Sequence, residues 1–249
     1  HNLLAHHSSR NPRFCGSRYH GNPEAERVDF RNNVIYNWGD NSAYGGEGGY
    51  HNIVANYYKP GPATKKQTVR SRIVEPYKGD AVGKWYVADN YMEGSSEVTA
   101  DNWKGVHPKT GIDEQSIRLD NPFPAAPVTT HTAQSAFEQV VAYAGAIKPR
   151  RDIVDRRIAY EVRNGTARYG GTYGAGLGII DTQATVGGWP VLQSGTAPVD
   201  SDRDGMPDEW ELKHGLNPND PADRNGDFNG DGYTNLEKYL NELAGDISY

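Results

Sequence analysis

Asn32-Asn33-Val34-Ile35-Tyr36-Asn37, NNVIYN, has near-copies on both sides: HNLLAH from His1 to His6, HNIVAN from His51 to Asn56 and DNYMEG from Asp89 to Gly94. Each sets an asparagine, Asn33, Asn2, Asn52 or Asn90, before two mainly apolar residues. Repetition at uneven intervals, with connections of differing length, predicts a solenoid of stacked β coils in which each copy is one rung. An amide carries donors and an acceptor, so the four asparagines are expected to bond one another up the stack as a ladder.

The 249 residues (27.4 kDa) suffice for one large domain or two smaller ones. Only 36% are hydrophobic, yet 16 Tyr and 5 Trp supply material for a packed interior, and 29 Gly with 15 Pro predict many turns between short elements. A net charge of −6 disfavours nucleic acid; an acidic polymer would have to be held by a local basic patch. Cys15 alone cannot form an internal disulfide, and no apolar run is long enough to span a bilayer. The chain opens without an initiator Met or a leader-like segment, which reads as a processed or truncated start.

From Thr132 to Gly145, Phe137, Val140, Val141 and Ala144 recur at helical spacing; from Asp152 to Arg163, Val154, Ile158 and Val162 do the same, with Gly165 after them. Both helices are expected to cap the solenoid or pack on its outside. ARYGGTYGAGLG, Ala167 to Gly178, lacks the lysine of a phosphate loop and reads as an extended flexible arm. The expected layout is a β-helical part at 1–190, a linker at 191–199 and a small acidic module at 200–249.

In that module Asp200, Asp202, Asp204, the Met206 carbonyl, Asp208 and Glu211 fall at positions 1, 3, 5, 7, 9 and 12 of a calcium loop, with Gly205 at the sharp turn. A second loop offers Asp227, Asn229, Asp231, the Tyr233 carbonyl and Asn235 in register, but Glu237 falls at 11 and Lys238 at 12, so a variant site is expected. Asp223 and Asn225 also reach an ion in another frame, though Phe228 then sits where glycine is wanted. The module resembles paired calcium repeats of thrombospondin type 3 or dockerin style, which implies structural Ca²⁺ and a secreted or otherwise extracytoplasmic setting.

SSRNPRFCG, Ser8 to Gly16, sets Arg10 and Arg13 around Pro12. Arginine's planar fork suits a carboxylate on every sugar of a uronic-acid chain. HNLLAHHSSRNPRFCG followed by FRNNVIYNWG resembles the R-x-P segment and following rung of the pectate lyase superfamily, polysaccharide lyase family 1. YHNIVANYYKPGP, PRRDIVDRRIAYEVRNGTA and GIIDTQATVGGWP are similar to the Bacteroidetes-type members, so the likeness covers about residues 1 to 190.

That resemblance implies a right-handed parallel β-helix in an otherwise all-β unit. It also implies calcium-dependent β-elimination on pectate, with Arg10 as the base. The motif's second arginine falls on Cys15, leaving Arg13 or Arg18 to contact substrate. His6, His7, His20 and Tyr19 are local rivals for the base. The family's calcium aspartates and a catalytic lysine precede the R-x-P segment, so the chain is expected to be the C-terminal part of a longer lyase, its first half missing or present as a separate chain. A noncatalytic uronan-binding fragment, another uronan or pectin lyase, and a calcium-stabilised scaffold are the other readings.

Overall fold

A computed structural model describes residues 1–245. Two compact units are present, His1–Pro190 and a second from Val191 onward.

In the first unit ten strands wind in repeating order: β1 (Leu3–Ala5), β2 (Arg13–Phe14), β3 (Arg27–Arg31), β4 (Val34–Tyr36), β5 (Ala43–Gly45), β6 (Tyr50–Val54), β7 (Tyr57–Lys59), β8 (Val74–Pro76), β9 (Lys84–Ala88) and β10 (Tyr91–Met92). They fall into three parallel sheets, β1-β4-β7-β10, β2-β5-β8 and β3-β6-β9, so each turn of chain adds one strand to each sheet. This is the coil of a parallel β-helix. Inward positions stack in register: Leu4, Ile35, Tyr58 and Met92 in the first sheet, and Val28, His51 and Trp85 in the third.

A short corner leads from the third sheet back to the first. There a residue at positive φ precedes the ladder asparagine: Asn32 (φ 56) before Asn33, Ala55 (φ 53) before Asn56 and Asp89 (φ 60) before Asn90. Each asparagine donates Nδ2–H to the Oδ1 of the next, Asn2 to Asn33 (2.8 Å), Asn33 to Asn56 (2.9 Å), Asn56 to Asn90 (2.9 Å) and Asn90 to Asn102 (3.0 Å). The ladder exists, but Asn56 holds the place expected for Asn52. Asn52 lies on β6, where it bonds Asp29 and the Phe123 backbone.

The two longer helices form where periodicity placed them, α4 at Ala133–Tyr143 and α5 at Ile153–Asn164, capped by Thr132 and Asp152; α5 stops at Gly165 (φ 67). Phe137, Val140, Val141 and Val162 pack with Val34, Tyr36 and Tyr57, so these helices lie on the outer face of the first sheet. Covering that face explains why its strands are apolar on both sides, VIY at β4 and YYK at β7. A shorter helix α1 (Gln67–Arg70) sits between β7 and β8, and α2 (Ser96–Ala100) and α3 (Glu114–Ile117) follow β10, so all-β is too narrow a description. The glycine-rich segment is docked: Thr166 O accepts from Tyr36 Oη, Leu177 O from Asn37 Nδ2, and Arg157 lies over the Tyr169 ring.

In the second unit each acidic loop runs into a helix, α6 (Asp208–His214) and α7 (Asn235–Ala244). Trp210 joins them, 5.4 Å from the Tyr239 ring and hydrogen-bonded through Nε1–H to Glu242.

Candidate functional site: an arginine-bearing sheet face and an acidic cluster

The second sheet carries the first site. Register aligns Arg13, Tyr44 and Glu75 across β2, β5 and β8, while Phe14, Ala43 and Val74 point into the core. Arg13 grips Glu47 with two hydrogen bonds, Nη2 to Oε1 at 2.5 Å and Nη1 to Oε2 at 3.2 Å, and lies over the rings of Tyr44 and Tyr77. The hydrogen bond to Glu47 raises the Arg13 pKa further above its usual value. Gly45 (φ 99) permits this packing, because a Cβ there would sit 2.7 Å from Arg13 Nη1. Arg18 lies over Tyr19, and its Nη1 is 3.9 Å from the same Glu47. Arg72 and Lys109 both pair with Glu75, at 3.3 and 3.2 Å.

Arg10 differs from these. It is exposed, at φ 64, and has no hydrogen bond or ion pair among the described residues. The next residue anchors it: Asn11 is fully buried, donates to the His7 and Asn41 carbonyls, and leads through a cis bond into Pro12.

Among the rivals for proton transfer, the three histidines each have a partner. His6 Nε2 is 3.0 Å from Glu161, His7 Nδ1 is 3.3 Å from Asn11 Oδ1, and His20 Nε2 is 3.2 Å from Glu26. Tyr19 is exposed beneath Arg18.

The second site is acidic. Asp200, Asp202 and Asp204 present carboxylate oxygens within 4.8 Å of one another, and so do Asp204, Glu211 and Asp223. Glu211 is 0% exposed and Asp204 3%. Both Glu211 oxygens, Asp202 Oδ2, Asp204 Oδ2 and Asp223 Oδ1 are buried without a hydrogen-bond partner. Burial, reinforced by Asp202, Asp204 and Asp223, pushes the Glu211 pKa up to about 7. Orphaned buried oxygens of this kind fit a hard cation, which oxygen ligands prefer to hold. Asp208 turns away to accept from Ser201 N and Oγ, both at 2.7 Å, while Met206 donates its N–H to Asp204 Oδ1. Asp223 joins the cluster from the following segment, which loop spacing alone did not reveal.

The second loop is built differently. The fully buried Lys238 places Nζ against Asp227, 3.1 Å from Asp231 Oδ1 and 2.8 Å from the Tyr233 carbonyl. Asn229 donates to Asp231, Asn235 binds Phe228 N and the Asp223 carbonyl, and Glu237 closes a capping box with Thr234. The expected ligands are therefore divided between a lysine and local backbone bonds.

Fold and first site together define a parallel β-helix protein whose second sheet presents a tyrosine-lined, arginine-bearing face. Along 98% of its length the chain is similar to proteins named "Probable pectate lyase C", 33% identical over 250 residues to that of Aspergillus fumigatus and 32% to that of Aspergillus flavus, in each case spanning 52% of the relative. The Emericella nidulans protein of the same name is 30% identical over 246 residues, with 51% of it spanned. These likenesses support a relationship to the pectate lyase superfamily. The chain spans about half the length of the curated relatives it matches. No protein-family model matches it.

Proposed function

We propose that the protein is a calcium-dependent lyase that cleaves pectate or a related galacturonan by β-elimination, with Arg10 as the group that takes the proton. The observation that carries this reading is a contrast among the arginines: Arg13 and Arg72 are committed to Glu47 and Glu75, whereas Arg10 is exposed and unpaired among the described residues. The names of the relatives support the substrate class.

In the reaction the C5–H bond of a uronate breaks, its electron pair forms the C4=C5 double bond, and the C4–O bond to the leaving sugar breaks. The departing oxygen then takes up a proton. A free guanidinium holds its proton up to pH of about 12 or more, so Arg10 acts as base only in its deprotonated form. Calcium, when bound to substrate, would neutralise the uronate carboxylate and acidify the C5 proton. Glu47 and Glu75 are already held by the protein's own cations, so they do not form a metal cradle on this face. Tyr44, itself buried, and Tyr77 back the Arg13 guanidinium from below. Arg13 orders this wall through Glu47, and Arg18 borders it as the nearer substrate contact.

The acidic cluster is read as a structural calcium site that holds the second unit together. Its donor set suits a calcium-rich, extracytoplasmic setting. Near-ultraviolet absorbance of polygalacturonate tests the reading, because only elimination creates the conjugated double bond. A protein that retards on a pectate column without producing absorbance would instead be a binder.

A further inference from the structure

We propose that the C-terminal unit holds one divalent cation rather than two, because Lys238 is the built-in cation of the second loop. The inference rests on reading the first loop as a calcium site, and its test separates the two.

Counted from Asp227, the second loop would use position 1, position 5 and the carbonyl at position 7 as ligands, and position 12 would supply a carboxylate. Asp227, Asp231 and the Tyr233 carbonyl are those acceptors, and all three converge on the Nζ of Lys238, the residue at position 12. Its side chain is 0% exposed, with Nζ 4.8 Å from the Phe228 ring centroid. Residual capacity is spent locally: Asp227 also accepts from Gly230 and Gly232, and Asp231 from Tyr233 N. A metal entering this loop would have to displace a buried ammonium from two carboxylates or sit beside it, and like charges at that range repel strongly.

The first loop is the reverse. Asp200, Asp202, Asp204, Glu211 and Asp223 form no ion pair with a lysine, arginine or histidine among the described residues, and Glu211 aims two unpartnered, fully buried oxygens into the cluster. One loop lacks a cation and its neighbour contains one.

Native mass spectrometry of the full chain in calcium, without polysaccharide, counts bound ions. The expected result is that wild type holds one ion that the Asp204→Asn/Glu211→Gln double variant loses, and that Lys238→Glu holds one more than wild type at about 1 mM calcium. Lys238→Gln, which removes the charge without adding a carboxylate, guards against misfolding of the glutamate variant and should also take up an extra ion. A wild-type ion that survives Asp204→Asn/Glu211→Gln but is lost in Asp227→Asn/Asp231→Asn would overturn the proposal. So would Lys238 variants that keep the wild-type circular dichroism spectrum and gain no ion. An ion retained in both Asp204→Asn/Glu211→Gln and Asp227→Asn/Asp231→Asn would overturn the first-loop reading alone.

Discussion

Arg13 and Glu47 form a two-point ion pair on the outer face of the second sheet, with side chains only 16% and 9% exposed. An arginine so committed is part of the wall, which leaves the chemistry to its neighbour three residues earlier. Arg13→Ala strands a nearly buried carboxylate and should lower stability by about 2–3 kcal/mol, read as a reduced denaturation midpoint. Arg10→Ala should leave that midpoint unchanged while lowering turnover by about 10²–10⁴-fold. Equal stability losses in the two variants would contradict this division of labour.

Asn56 accepts at Oδ1 from the backbone N–H and Nδ2 of Asn33, and donates from Nδ2 to Asn90 and the Phe30 carbonyl. Asn56→Ala leaves buried partners unsatisfied on both sides and should cost about 3 kcal/mol. Thermal unfolding of the first unit is the readout. Asn56→Asp should be worse, since it sets a charge against the donor-poor interior.

His51 is buried, stacked on Trp85 with ring centroids 4.0 Å apart, and burial lowers its pKa to about 4. The folded state thus binds fewer protons than the unfolded one between about pH 6.5 and pH 4. Stability of the first unit should fall as pH drops through that window. His51→Phe should flatten this slope, measured by denaturant midpoints at pH 7 and pH 4.5.

Glu211 behaves oppositely. With its pKa raised to about 7 by burial first and neighbouring carboxylates second, the ion-free folded state binds more protons than the unfolded one between about pH 4.5 and pH 7. In chelator the second unit should therefore be more stable at pH 5 than at pH 7.5. Calcium should reverse that order, since the bound cation favours the ionised carboxylate. Trp210 fluorescence reports the transition, as this tryptophan packs against both helices.

What the chain betrayed in advance follows the range of the forces involved. The rung phrase at Asn2, Asn33 and Asn90 was legible because the ladder asparagine and the inward residue of its strand lie two positions apart in sequence. Asn56 escaped because Ile53 and Val54 after Asn52 mimic the phrase, while the marker at Asn33, Asn56 and Asn90 is the positive-φ residue one step before. The helices α4 and α5 were visible from periodicity, but the face they cover was not, since nothing local says which sheet is apolar on both sides. In the acidic unit, spacing identified Asp200, Asp202, Asp204 and Glu211. It could not show Asp223 folding back to them or Asp208 leaving to cap Ser201. Lys238 stood out as the wrong residue at position 12; only the structure shows it buried, with Nζ against Asp227, Asp231 and the Tyr233 carbonyl.

The most direct measurement is near-ultraviolet absorbance of polygalacturonate with calcium, using protein that contains only this 249-residue chain and its Arg10→Ala and Arg10→Lys variants. The account predicts a steady rise for the natural protein, a large loss in both variants, and denaturation midpoints that match across all three. Undiminished turnover in Arg10→Ala would contradict it, and would move the search for the base to residues other than this arginine.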